Sequence, residues 1–201
     1  QLVQELGRVP QADLEQTLNM GVGFVAIVSA HNAPRAMGVL AEHGIEAWPV
    51  GEVIDAPDVQ RTYVGRLDGC LDFHLTDALR KTFAWGRWSE TDLERFVERH
   101  QAYFPPDFIM PTFLDNHDMD RFLFIAGNDQ DALRRAATYQ MRLPGPPIIY
   151  YGTEVGVSQH ASKNDGWGLE ASRAPMIWDD RQDTDLLAFY RTLIRQRRAM
   201  R

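Results

Sequence analysis

The feature that constrains this chain most is residues 108–118, Phe-Ile-Met-Pro-Thr-Phe-Leu-Asp-Asn-His-Asp. An apolar run, aromatic and β-branched, leads straight into four polar residues. Such a run has the make-up of a strand buried on both faces, as in a parallel sheet covered by helices. Asp115, Asn116, His117 and Asp118 then stand at its C-terminal end. Polar groups are costly to bury there unless they face solvent or a ligand, and parallel barrels build their sites at strand C-terminal ends. The same residues also read as a strand followed by a turn rich in Asn and Asp. Both readings stay open on this stretch alone.

The flanking sequence alternates strand and helix signals. Two short helices are expected before residue 19, then a strand at 22–28 that is apolar on both faces. Asn32 caps a helix that Gly44 ends, and a second strand follows at 46–52. A third strand is expected at 67–74. Ser89 with Asp92 opens a helix that buries Leu93, Phe96, Val97, His100, Tyr103 and Phe104 until Pro105-Pro106 stops it. The strand at 108–115 comes next. Asn128 or Asp129 caps a further helix, and a fifth strand lies at 147–151. His160 to Gly168 reads as a loop over the strand ends, and Asp183 to Arg201 as a last helix. This alternation predicts an α/β fold with a parallel sheet and helices outside it.

Composition narrows the function classes. The chain has 201 residues and a net charge of −7, with Lys81 and Lys163 its only lysines. That balance disfavours nucleic acid as a partner and leaves a neutral or polar small ligand open. One cysteine, Cys70, excludes an internal disulfide framework. The six histidines lack ligand spacing, so no metal or other cofactor is expected. No apolar run reaches membrane-spanning length and no signal peptide is evident, which predicts a cytoplasmic protein with no membrane partner.

"FLDNHDMDR", followed by "LPGPPIIYYGTEVG", resembles the seventh and eighth strands of the α-amylase-type glycoside hydrolase barrel. The resemblance runs over about residues 47–201. It implies a (β/α) barrel and an α-glucan or maltooligosaccharide substrate. It implies Glu52, in Gly51-Glu52-Val53, as acid/base, and Asp118 as the second carboxylate, which orients sugar hydroxyls and stabilises the transition state. Asn116, His117, Tyr151 and Glu154 fall on the family's substrate-site positions. Arg173, Pro175, Met176 and Trp178 match an R-P-M-W run of the family. A calcium ion held by oxygen ligands stays open. Retaining glycosidases need two carboxyls roughly 5–5.5 Å apart. The family's nucleophile is an aspartate in an Arg-x-Asp setting on the strand before Gly-Glu. Here the preceding strand runs into Ser29-Ala30-His31-Asn32, which has no carboxylate. Arg66-Leu67-Asp68 mimics the nucleophile setting but follows Gly51-Glu52 instead of preceding it.

"LGRVPQADLEQTLNMGVGFVAIV" with "LAEHGIEAWPVGEV" is similar to the C-terminal domain of phosphoribosylformylglycinamidine cyclo-ligase, over about residues 1–53. That family binds ATP largely through a domain absent from these residues, so the resemblance implies a structural piece rather than a ligase. The two resemblances meet at Gly51-Glu52-Val53 and read as a chimera, 1–53 and 54–201, packed as one unit. The fold expected is a half-barrel of about five parallel strands. Its open edges predict a homo-oligomer. Glu52 and Asp118 are expected at one end of the sheet. The leading functional reading is a remnant of a glycoside hydrolase that keeps part of a carbohydrate site and lacks its nucleophile. The alternatives are an active α-glucan hydrolase completed by another chain, and a noncatalytic structural or interaction module.

Overall fold

The computed structural model describes residues 33–45, 50–51, 56–166 and 168–200. The expected helices before residue 19, the strand at 22–28 and the acid/base candidate Glu52 lie outside the described residues. In chain order the elements are α1 (Ala33–Glu42), β1 (Val50–Gly51), α2 (Pro57–Arg61), β2 (Gly69–Cys70) and α3 (Phe73–Leu79), which runs on into a π-helical turn, Arg80–Ala84. Then come α4 (Glu90–Tyr103), α5 (Phe122–Ile125), α6 (Gln130–Arg142), two 3-10 turns (Thr153–Val155 and Gly168–Arg173) and α7 (Thr184–Ala199).

Four extended segments lie side by side in sequence order, all parallel. β1 pairs with β2 in the register Val50–Gly69 and Gly51–Cys70. Gly69 bridges Ile109, and Thr112 bridges Pro147, both parallel. Backbone bonds carry the pairing further. Cys70 N–H donates to the Ile109 carbonyl at 3.0 Å, and Asp72 N–H to that of Pro111 at 3.0 Å. Thr112 N–H donates to the Pro146 carbonyl at 2.8 Å. Helices make every crossover, as parallel pairing requires.

The strands are shorter than the sequence predicts. Residues 67–74 read as one strand because of their apolar run, yet Phe73 already begins α3. The cause is Asp72, whose carboxylate accepts from Leu75 N–H at 2.9 Å and caps the helix. His100 Nε2 lies 2.9 Å from both Asp72 oxygens, so the buried end of α4 is tied to the start of α3. A cavity of about 50 Å³ beside that pair is lined by Phe104, Met110, Thr112 and Gly145 among others.

Local signals set the other boundaries. Ser89 and Asp92 form a reciprocal capping box on α4, and the helix stops at Tyr103, ahead of Pro105. Asp129, rather than Asn128, caps α6 by accepting from Ala132 N–H. Asn128 instead takes a positive φ of 64° in the turn before it. Asp183 caps α7 in the same way. Gly44, at φ 68°, closes α1 with Ile45 N–H bonded to the Leu40 carbonyl. α5 has no counterpart in the sequence reading.

Leu79, Leu93, Phe122, Leu133, Ala136, Ala137, Leu186 and Tyr190 form the main core, each at most 1% exposed. It lies where α3, α4, α6 and α7 meet the back of the strands. Arg197 of α7 is buried and donates to the carbonyls of Met141, Leu143, Pro144 and Gly145, at 2.6 to 3.4 Å. One guanidinium thus satisfies carbonyls left over at the end of α6 and in the turn that enters the 147 strand. Among the described residues no helix is long and apolar enough to cross a membrane.

Backbone approach between strands demands glycine at position 69. A Cβ there would sit 1.9 Å from the Ile109 carbonyl oxygen. Gly38, mid-helix in α1, has open space around it. Gly69→Ala is therefore expected to lower unfolding stability by at least about 2 kcal/mol. Gly38→Ala is expected to raise it by about 0.5–1 kcal/mol. Denaturant titration of both variants checks the pair.

Candidate functional site

Residues 115–121 leave the end of the 109–114 segment as a tight loop. Asn116 Oδ1 accepts from Asp118 N–H at 2.9 Å, an Asx turn that folds the backbone back on itself. The turn lifts His117 and Asp118 toward solvent, with side chains 41% and 39% exposed. Asn116 serves the turn, and its Nδ2 is buried without a partner. The aspartate-rich turn reading is therefore correct for Asn116, while His117 and Asp118 are free to face outward.

Asp118 is gripped from two sides. Arg173 Nη2 stands 2.8 Å from one carboxylate oxygen, and His117 Nε2 lies 3.3 Å from the other. Arg173 Nε also donates to the His117 carbonyl at 2.9 Å, so one guanidinium reads both residues. In the sequence Arg173 stands out only as a member of the R-P-M-W run. The structure brings it across 55 residues of chain onto Asp118, and no local signal announces such a contact. The Lys163 ammonium adds a bond to the Asp118 carbonyl at 2.9 Å.

Asp120 fastens the neighbouring 159–163 loop. It accepts from Gln159 Nε2, Lys163 N–H and Ser162 Oγ at 2.7 to 2.8 Å. Burial opposes its charge, but those three donors outweigh burial and hold its carboxyl below the usual range.

Beneath the loop the chemistry changes. Asp115 is 2% exposed and accepts from Phe122 N–H at 2.8 Å and Thr153 Oγ1 at 2.9 Å. Arg121 has no exposure at all. Its guanidinium donates to the carbonyls of Ser172 at 2.9 Å and Tyr151 at 2.6 Å, and lies over the rings of Tyr150 and Tyr151. Tyr151 is 39% exposed and donates its hydroxyl to the Ala174 carbonyl, which holds its ring as support for the cation. Glu154, on the 3-10 turn, is only 6% exposed, and its Oε2 is buried without a partner. Its carboxyl thus sits below the surface that carries His117 and Asp118. Asp68 is exposed at the N-terminal end of β2, the end opposite to this site. Among the described residues no cluster of three or more His, Cys, Asp or Glu forms a metal site.

Burial pushes the Glu154 carboxyl up to about 6 from 4.5, with backbone donors and Arg121 only partly offsetting it. A folded-state value above the unfolded one means that the protonated carboxyl fits the fold better. Stability is then highest below about pH 4.5, falls through pH 6, and the full loss persists above it. At about 1.4 kcal/mol per pH unit, the loss comes to about 2 kcal/mol. Glu154→Gln is expected to be more stable than the parent by up to about 2 kcal/mol at pH 7, with no such decline between pH 4.5 and 6. Urea unfolding across that range measures it.

The chain is similar to known proteins of two families. A family profile described as "Alpha amylase, catalytic domain" matches residues 10–195. It begins well ahead of residue 47 and so overlaps the stretch expected to be cyclo-ligase-like. Alpha-amylase 2 of Dictyoglomus thermophilum is 36% identical over 157 residues, 77% of this chain and 28% of that protein. A putative phosphoribosylformylglycinamidine cyclo-ligase of Streptomyces fradiae is 46% identical over 54 residues, 27% of this chain and 30% of that protein. These matches to two unrelated families are consistent with a chimera. Among solved structures, the α-amylase of Geobacillus thermoleovorans complexed with acarbose aligns with a TM-score of 0.61 and 26% identity. It covers 75% of this chain and 33% of that one. The chain spans about a third or less of each of these relatives. With parallel segments paired in sequence order and an Asn-His-Asp turn after one of them, matched by a profile over most of its length, the chain belongs to the alpha-amylase catalytic-domain family.

Proposed function

We propose that this chain is a chimeric remnant of an α-amylase-type glycoside hydrolase that retains part of a carbohydrate site and does not turn over α-glucans by itself. The observation that carries the reading is Asp118, an open carboxylate held at a strand end between His117 and Arg173. A carboxylate, an imidazole and a guanidinium, all partly exposed, offer the acceptors and donors that bind vicinal hydroxyls of a sugar ring. Asn116 shapes the turn, Tyr151 walls the site, and Glu154 supports it from below. The acarbose complex of the Geobacillus relative makes maltooligosaccharides the ligand class to test.

Glu52 belongs to the reading as the remaining acid. It follows β1 directly, and β1, β2 and the 109–112 segment are parallel. Their C-terminal ends therefore share one side of the sheet, the side of Asp118. Parallel segments at 50–51, 69–70, 109–112 and 147 are what the last four strands of such a barrel supply, with 22–28 as the fifth strand of a half-barrel. Residues 1–53 form the cyclo-ligase-like piece of one packed unit. A half-barrel of that kind would leave sheet edges open, which is the ground for expecting a homo-oligomer. Without the nucleophile there is no covalent intermediate to divide the reaction into two easier steps.

Isothermal titration of the chain with acarbose and maltose tests the reading. Binding is expected, and Asp118→Asn or Arg173→Met is expected to weaken it by about tenfold or more. Turnover of maltooligosaccharides or an aryl glucoside is expected to be negligible. A turnover that vanishes in Glu52→Gln would make the chain an active hydrolase instead. Absence of any sugar binding would leave a structural module.

A further inference from the structure

We infer that Arg80 is a positioning residue that sets the height and angle of the His117–Asp118 turn. The inference rests on the reading of that turn as a sugar site.

Arg80 starts the π-helical turn that continues α3. There Trp85 N–H bonds to the Arg80 carbonyl, five residues back. Leu79, Arg80, Thr82 and Phe83 are all buried, so Arg80 lies on the inward side of this segment.

Arg80 is only 6% exposed, and its guanidinium reaches the loop. Nη1 donates to the Asp120 carbonyl at 3.1 Å, to the Met119 sulfur at 2.9 Å, and more weakly to the Leu114 carbonyl at 3.4 Å. Leu114 and Asp120 bracket the residues of the site. One cation thus holds both ends of the 115–119 segment together, and its middle contact falls on the residue directly after Asp118. Charge-assisted bonds to carbonyls are among the stronger uncrossed ties available to a loop. On its outer side the guanidinium lies 5.6 Å from the centre of the Trp85 ring, which is 37% exposed. An indole therefore reports on the clasp from the surface.

A sequence scan gives Arg80 no role, since an arginine in a helix ordinarily faces solvent. Here its contacts span 34 to 40 residues of chain.

The test uses the full chain with Arg80→Lys and Arg80→Met. Two readouts are taken: amide hydrogen exchange and acarbose titration. In Arg80→Met, exchange of residues 115–121 is expected to rise by about tenfold or more while α6 and α7 keep parent rates. Acarbose binding is expected to weaken by a similar factor. Arg80→Lys keeps the charge and is expected to recover part of both effects and to fold if the methionine variant does not. Parent exchange rates in 115–121 in a folded Arg80→Met, or in Arg80→Lys where the methionine variant does not fold, would overturn the inference, as would a rise spread evenly over the chain in both. If the parent binds no acarbose yet exchange in 115–121 still rises alone, the clasp stands and the sugar reading falls.

Discussion

A guanidinium without solvent exposure lies under the 115–121 loop, and most of the site is arranged to keep it there. Arg121 ties three stretches together that are far apart in sequence, through the Tyr151 and Ser172 carbonyls and its own backbone bond to Gln159. Stripping water from a cation costs several kcal/mol unless charge and hydrogen bonds replace it. The replacements here are two carbonyls, two tyrosine faces and the field of two buried carboxylates, Asp115 and Glu154. Because the Ser172 carbonyl is fixed, Arg173 next to it is fixed as well. The arm that reaches Asp118 therefore inherits its placement from a residue buried out of reach of any ligand.

The same arrangement sets the charge state of the layer beneath the site. Burial raises both Asp115 and Glu154, and the Arg121 charge pulls each back down. Asp115 also has Phe122 N–H and Thr153 Oγ1 as donors, whereas one Glu154 oxygen has none. Burial outweighs the one cation at both, so each carboxyl stands above its ordinary value. Above this layer, Asp118 and Arg173 stand half in water, where their pairing is worth little for stability. Stability and recognition are thus divided between two tiers of the same loop.

Much of this architecture was legible in the residues. The strand ending in Asn116-His117-Asp118, the capping box at Ser89, the Pro105 stop and the parallel order all follow from local chemistry. The misreadings have a common cause. Phe73-His74 continues an apolar run, but Asp72 captures the Leu75 amide and starts a helix instead. Arg80, Arg121 and Arg197 are buried, although arginine ordinarily lies at the surface. Their partners lie tens of residues away, and only the folded chain brings those carbonyls and carboxylates within reach. Glu154 misleads for the opposite reason, since a motif position marks it for the site while its turn directs it into the interior.

The dependence of the site on the buried cation is tested most directly by a double-mutant cycle in unfolding free energy, with Arg121→Met and Asp115→Asn at pH 8. Arg121→Met is expected to cost about 3–5 kcal/mol in the parent, because it strands a buried carboxylate. The same change in Asp115→Asn is expected to cost at least about 1 kcal/mol less, the mark of coupled partners. Costs that add to within about 0.5 kcal/mol would contradict the account and make Arg121 an ordinary packing residue.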